Sequence, residues 1–374
     1  MAGLREKLAQ LLREGGPPLE PLRTRELVLY GAGNCGRATA ALARNQGFEV
    51  KAFLDQRADA GRSIYGLPCY SPSSPEARQL AAAGIPLGLA IFNCATDVQP
   101  IIQSLRDMHF ARILSFYELH EHLQGEPQFW LTSRRFYRDW STEIMEGFDL
   151  FQDEESNRVY YDYIALRLTF DTALLGKPDQ ANQYFPADLP RPRMPLRMID
   201  GGAFTGDTIQ MVLAKGLAVA ALAAFEPDPG NFQKLSQCAG KSLEQLGDVS
   251  LFPCGLGRET AVGRFAEGQG GGSALNSGGK TFVQIVALDQ VLPNFAPTFI
   301  KLDIEGAEPD ALLGAAGLID RSQPTLAICV YHKPEHLWVI PRLIRRLMPQ
   351  GRLALRSHQF NGFDVVAYAI PDER

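Results

Sequence analysis

The stretch that most constrains this 374-residue chain is Met198–Asp207, which reads Met-Ile-Asp-Gly-Gly-Ala-Phe-Thr-Gly-Asp. An apolar run from Leu196 to Ile199 ends in Asp200. Gly201, Gly202 and Gly206 follow, and Ile209, Val212 and Leu213 then recur at helical spacing. The pattern predicts a strand, a tight turn and the start of a helix. Glycines let a backbone approach a ligand closely, and a helix N-terminus offers free N–H donors. In dinucleotide sites such a turn faces a pyrophosphate. Here an acid stands at the strand tip, ahead of the glycines, where it would repel a diphosphate. It suits a cationic or hydroxyl-bearing ligand better, S-adenosylmethionine (SAM) being one.

A second glycine turn lies near the N-terminus. Leu27–Tyr30 reads as a buried strand, Gly31-Ala-Gly33-Asn-Cys-Gly36 follows, then a helix from Ala38 to Gln46, a strand from Val50 to Leu54 and an acid, Asp55. Strand, GxGxxG, helix, strand and acid form the dinucleotide fingerprint in its required context. They predict a nucleotide or nucleotide-sugar site built from Gly31, Gly33, Gly36 and Asp55, with Arg37 placed to assist a phosphate. A glycine turn kept only for packing is the alternative. Strands are also expected at Leu89–Asn93 and Ile113–Phe116, with a helix capped by Asp97 and running through Met108 between them. Residues 20–124 are therefore expected to form a small Rossmann-like domain of about four strands. Ahead of it, Leu4, Leu8, Leu11 and Leu12 share one helical face, and Gly15-Gly16-Pro17-Pro18 stops that helix.

Residues 125–180 mix aromatics and charges at helical spacing and read as a helical connector. Tyr184 and Phe185 precede the main glycine turn, where they could form part of a ligand lid. Residues 181–374 return to alternation. Strands are expected at 218–225, 249–252, 282–286, 299–302 and 326–330, and a terminal hairpin at 353–356 and 365–370. Helices are expected around Phe232 and Leu235 and at 310–318 and 337–347. This predicts a mainly parallel sheet. Gly268–Gly279 is glycine-rich and reads as a lid or as a surface loop.

In open parallel sheets, ligands bind beyond the carboxyl ends of the strands. Asp200 ends one strand, with Asp207 just inside the next helix. Glu226 ends the following strand, one βαβ unit further on, where an acid can accept ribose hydroxyls. Asp303 ends another, followed by Glu305. Four segments occur in order: Asp-Gly-Gly-Ala-Phe-x-Gly-Asp at 200–207, Phe-Glu-Pro-Asp at 225–228, Ile-Lys-Leu-Asp-Ile-Glu-Gly-Ala-Glu at 300–308 and Val-Tyr-His-Lys-Pro at 330–334. Together they resemble the FkbM family of SAM-dependent O-methyltransferases. The resemblance implies an α/β chain: a C-terminal class I methyltransferase Rossmann-like sheet plus the smaller N-terminal Rossmann-like domain, joined by a helical segment. It also implies SAM as cofactor and methyl transfer to a hydroxyl of a sugar, nucleotide-sugar or natural-product acceptor. Carried over by position, Asp200, Gly201, Gly202 and Ala203 would line the methionine side. Glu226 would hold the ribose, Cys254 and Gly255 would lie near the adenine, and Asp303 and Glu305 would face the methyl group and acceptor. Tyr184, from its place just before the glycine turn, is also expected to contact the cofactor.

Methyl transfer from a sulfonium is an in-line displacement, so the protein must align three atoms and remove a hydroxyl proton. His332, Asp303 and Glu305 are the expected catalytic residues. His332 is favoured by an ordinary imidazole pKa, and Lys301 is disfavoured because it precedes the strand end. His336 stands where the family pattern would place an acid. Asp303 and Glu305 could instead hold Mg²⁺ with a substrate diol, although no dedicated metal site is expected.

A net charge of −5 and a pI near 5.8 argue against a chain-wide nucleic-acid or anionic-membrane surface. No apolar run approaches the roughly 18 residues of a membrane span. Six cysteines without a CxxC pair suit a cytoplasmic protein, and nothing opposes a homo-oligomer. The alternatives to a methyltransferase are an NAD(P)-dependent oxidoreductase using Gly31–Asp55 and a non-catalytic nucleotide-sugar-binding protein.

Overall fold

Short apolar runs alternating with helices produce two mainly parallel sheets. The computed structural model describes residues 2–58, 63–126, 128–265 and 281–372. The chain divides into two units. The first comprises Met1–Met145, Arg158–Pro178 and Gln359–Phe363, and the second Glu146–Asn157, Asp179–His358 and Asp364–Arg374.

The first unit holds β1 (Glu26–Tyr30), β2 (Glu49–Leu54), β3 (Ser63–Ile64), β4 (Leu67–Tyr70), β5 (Leu87–Leu89) and β6 (Ile113–Leu114), in the order β3-β4-β2-β1-β5-β6. Side chains alternate across a strand. Leu27 and Leu29 therefore join one core with Phe53, and Val28 and Tyr30 join the other with Leu54. Both faces are covered, which is why β1 is apolar without a break from Leu27 to Tyr30. Each fully buried leucine contributes roughly 1.5–3 kcal/mol.

This sheet has six strands rather than four. The addition is the β3–β4 hairpin, turned by Tyr65 and Gly66, both at positive φ, the geometry a two-residue hairpin favours. β5 ends at Leu89 rather than Asn93, because Asn93 Oδ1 accepts the N–H groups of Ala95 and Thr96, each at 3.0 Å, and turns the chain. The strand expected through Phe116 stops at Leu114. Ser115 Oγ accepts the Glu118 N–H at 3.3 Å and caps a helix, Phe116–Leu123.

The 125–180 stretch does not form a unit of its own. Its buried aromatics bond within the first unit: Tyr160 donates to Ile144 O at 2.8 Å, and Tyr137 donates to Trp130 O. Residues 146–157 join the second unit, where Ser156 Oγ accepts the Leu355 N–H at 2.8 Å and Asp153 pairs with Arg356 at 3.0 Å. Gln359–Phe363 belongs to the first unit, and Asn361 Nδ2 donates to Thr96 O at 2.7 Å.

The second unit contains β7 (Leu196–Gly201), β8 (Val219–Phe225), β9 (Leu246–Phe252), β10 (Gly255–Leu256), β11 (Ala261–Phe265), β12 (Thr281–Val286), β13 (Phe299–Leu302), β14 (Thr325–Cys329), β15 (Arg352–Ser357) and β16 (Val365–Ile370). Seven form one sheet in the order β15-β16-β14-β13-β7-β8-β9. β16 runs antiparallel to both neighbours. β12 lies outside this sheet, in a three-stranded one with β10 and β11. The helix expected over 310–318 is two, Glu308–Leu313 and Ala316–Ser322. The Gly268–Gly279 run lies outside the described residues. No disulfide joins the six cysteines, and no helix among the described residues is long and apolar enough to cross a membrane.

Candidate active site

Strand order reverses between β7 and β13, since β7 leads to β8 on one side while β13 lies on the other. Such a point leaves a crevice at the carboxyl ends of the strands. Asp200, Glu226, Asp303 and His332 all come from the carboxyl ends of β7, β8, β13 and β14 or from the residues just past them.

In the β7–β13 ladder Lys301 lies opposite Asp200 and Leu302 opposite Gly201. Lys301 Nζ is 3.0 Å from Asp200 Oδ1 and donates to Gly202 O at 2.6 Å, and its ammonium stands 5.4 Å from the centre of the Tyr184 ring. Asp200 is fully buried and Lys301 nearly so. Burial alone would lower the Lys301 pKa, but Asp200 and Asp303 raise it, and the ammonium persists. Burial raises the Asp200 pKa, against the pull of Lys301. The Asp200 carboxylate, expected to line a ligand, is thus turned against Lys301.

Gly202 has φ +73, and a Cβ there would lie 1.9 Å from the carbonyl oxygen of Asp303. Only glycine lets the turn pass the end of β13. Its N–H and that of Ala203, which is fully buried, both donate to Phe225 O at 3.0 Å. Glu226 follows Phe225. Its carboxylate accepts the Phe204 N–H and the Asp228 N–H, each at 2.8 Å. Burial nevertheless pushes it up to about 7, the two amides opposing. Cys254 and Gly255 are buried just past β9, and burial raises the Cys254 thiol to about 11.

Asp303 is the hub of the remaining cluster. Tyr184 donates to its Oδ2 at 2.9 Å and Tyr331 to its Oδ1 at 3.3 Å, and His332 Nε2 stands 3.3 Å from Oδ1. Burial would raise the Asp303 pKa, but His332, Lys301 and Tyr184 hold it well below the usual range. His332 Nε2 is also 3.6 Å from Glu305, and its Nδ1 is 2.8 Å from Glu308. Glu308, fully buried, also accepts the Ile304 N–H at 2.9 Å and lies 3.4 Å from His336 Nδ1. His332 is buried, which would lower its pKa, yet Glu308 and Asp303 raise it well above the ordinary value. It is an imidazolium at neutral pH, so the expected unperturbed base is not what this site contains. Burial takes His336 down to about 4 and leaves it neutral.

Glu305 sits at φ +56, a backbone cost on the order of 1 kcal/mol. Burial pushes it up to about 8, with His332 opposing and Asp303 and Glu308 adding to the rise. Asp364, from the segment before β16, is raised to about 7 by burial and by Asp303.

Tyr184 therefore meets Asp303 at the carboxyl end of β13, while Phe185 stacks on Phe299 at 4.8 Å, at the opposite end of that strand. Sequence reasoning missed Glu308, Tyr331 and Asp364. Glu308 was visible within the 300–308 segment, but nothing local assigns it two histidines. Among the described residues, no group of three or more metal-type side chains is arranged to hold a metal ion.

The seven-stranded sheet with its antiparallel β16 and its glycine turn at the β7 tip defines a methyltransferase-type α/β domain. Residues 200–361 match the family model described as the Methyltransferase FkbM domain. The crystal structure of methyltransferase FkbM from Methylobacillus flagellatus KT is similar in fold over 98% of each chain, with a TM-score of 0.79 and 22% identity. The S-adenosylhomocysteine-bound methyltransferase PaMTH1 of Podospora anserina aligns with 76% of this chain and all of its own at 10% identity and a TM-score of 0.28. No curated protein matches the chain.

Proposed function

We propose that the second unit is a SAM-dependent O-methyltransferase acting on a hydroxyl of a sugar, nucleotide-sugar or natural-product acceptor. The observation that carries this reading is the Glu226 carboxylate, held against the glycine turn by the Phe204 N–H at the switch point of the sheet. Each of its oxygens keeps a lone pair for a ribose hydroxyl. The donor set fits SAM: a bare glycine turn, an acid for the ribose, and ionised Asp303 on the strand beside it. When bound, SAM supplies an electrophilic methyl group on a sulfonium.

This chain's residues must then place the acceptor hydroxyl in line and take its proton. A base works best with a pKa near the working pH. Asp303 is held too low and His332 is already protonated. Of the two carboxyl groups near neutral, Asp364 at about 7 and Glu305 at about 8, Glu305 is the base we assign; it is mostly protonated at pH 7, and its basic form grows as pH rises. Tyr184, Tyr331 and His332 fix Asp303, whose negative charge favours a cationic neighbour.

Calorimetric titration with S-adenosylhomocysteine should give heat, and labelled SAM should transfer its methyl group to polar extract acceptors as an alkali-stable ether. Glu305→Gln should abolish transfer while retaining S-adenosylhomocysteine binding. Absence of heat would sink the cofactor assignment, and alkali-labile product would sink the hydroxyl assignment.

A further inference from the structure

The glycine turn of the first unit opens on a cleft of about 450 Å³. Its glycines are not equivalent. A Cβ on Gly36 would lie 1.9 Å from the carbonyl oxygen of Gly31, so packing demands glycine there. Gly33 has φ −74 and is exposed, and a Cβ built on it meets nothing within 4 Å. Neither the backbone nor the packing requires glycine at 33. Its missing side chain leaves the peptide of the turn bare where it lines the cleft.

Asp55, at the tip of β2, lines the same cleft. Its Oδ2 accepts the Ala32 N–H at 3.0 Å and its Oδ1 the Arg57 N–H at 2.9 Å. Each oxygen retains a lone pair for a hydroxyl donor. Burial would raise its pKa, but the two amides and the Arg57 guanidinium, 3.6 Å away, hold it below the usual carboxylate range. Tyr30, Ile91 and Ile101 add apolar lining.

We propose that this cleft binds a nucleoside diphosphate moiety whose ribose carries no phosphate. The Gly31 and Ala32 N–H groups are taken by Leu54 O and Asp55, so the Gly33 amide and the first turn of helix Asn34–Asn45 take the phosphates, where amide donors and the helix dipole favour an anion. Asp55 takes the ribose hydroxyls, and the apolar wall takes the base. An ionised carboxylate at that place accepts hydroxyls and repels a 2′-phosphate. The proposal is independent of the transfer chemistry of the second unit.

The test is calorimetric titration of the full chain with ADP, UDP-glucose, NADH and NADPH. At least one of the first three should bind. Gly33→Val meets no neighbour but replaces a favourable N-cap residue, so it should lower the melting temperature only slightly while weakening that binding more than about tenfold. Asp55→Asn, isosteric and still able to accept one amide, should weaken it about tenfold. Glu226→Gln, in the second unit, should leave it unchanged, and NADPH should bind at least about tenfold more weakly than NADH. The proposal is overturned if none of ADP, UDP-glucose and NADH binds, if binding survives both first-unit substitutions, if Glu226→Gln abolishes it, or if NADPH binds as tightly as NADH.

Discussion

The chain contains the same device twice, and the two copies differ in charge. In each unit a strand ends in a glycine turn, and the acid at the tip of the next strand accepts an N–H from that turn: Asp55 from Ala32 at 3.0 Å, Glu226 from Phe204 at 2.8 Å. Asp55 has Arg57 beside it and is held below the carboxylate range. Glu226 is more deeply buried and is pushed up to about 7. The glycines differ as well. Gly202 is demanded by the Asp303 carbonyl, whereas nothing in the protein demands Gly33. The second turn also carries an acid on its own strand, Asp200, whose charge is met by Lys301. Similar backbones thus present a permanently anionic acceptor in one unit and a titratable one in the other.

The largest expected effect lies at Lys301. Removing one partner of a buried ion pair strands the other, so Lys301→Met should lower the unfolding free energy by about 3–5 kcal/mol in a urea titration, and adding Asp200→Asn should recover much of the loss. A single mutant as stable as wild type would mean that the pair does not hold the second turn together. Next in size, Glu226→Gln should weaken S-adenosylhomocysteine binding by about 1.5–3 kcal/mol, the worth of hydrogen bonds to a charged group, while Asp55→Asn should leave it untouched. Equal losses from both would show that the two acids do not serve separate sites.

The charge difference itself predicts opposite pH behaviour. Glu226 must be ionised to accept two hydroxyls, and its pKa is raised to about 7. Between pH 6 and 8 its ionised fraction rises from about one tenth to about nine tenths, so S-adenosylhomocysteine affinity should rise close to tenfold. Asp55, held low, is ionised throughout, so ligand binding in the first unit should be flat across that window on its account. A flat profile at Glu226 would contradict the burial assigned to it. The smallest effect belongs to Tyr184→Phe, which deletes one hydrogen bond to Asp303 and should cost about 1 kcal/mol of stability. A large loss of cofactor affinity as well would show that Tyr184 makes the ligand contact expected from sequence.

Much of this was readable from spacing. Leu27–Tyr30 and Leu196–Ile199 announced buried strands, and Asp200, Glu226 and Asp303 fell at strand tips as their positions after apolar runs implied. Departures came where side chains rather than periodicity ended an element. Asn93 turned the chain and Ser115 opened a helix. Roles within the site were less legible. His332 has an ordinary histidine's sequence context, yet Glu308, four residues past Ile304 on another element, makes it an imidazolium.

By itself the sequence determined the local geometry: which residues are extended, where glycine must turn the chain, and which acids cap the strands. These follow from backbone sterics and side-chain period, which act within a few residues. The tertiary structure alone pairs Lys301 with Asp200, sets Glu308 against two histidines, and pushes Glu305 and His332 in the directions their neighbours dictate. Those outcomes depend on ladder register between distant strands and on how far each charge is withdrawn from water, and neither quantity is stored in a local pattern.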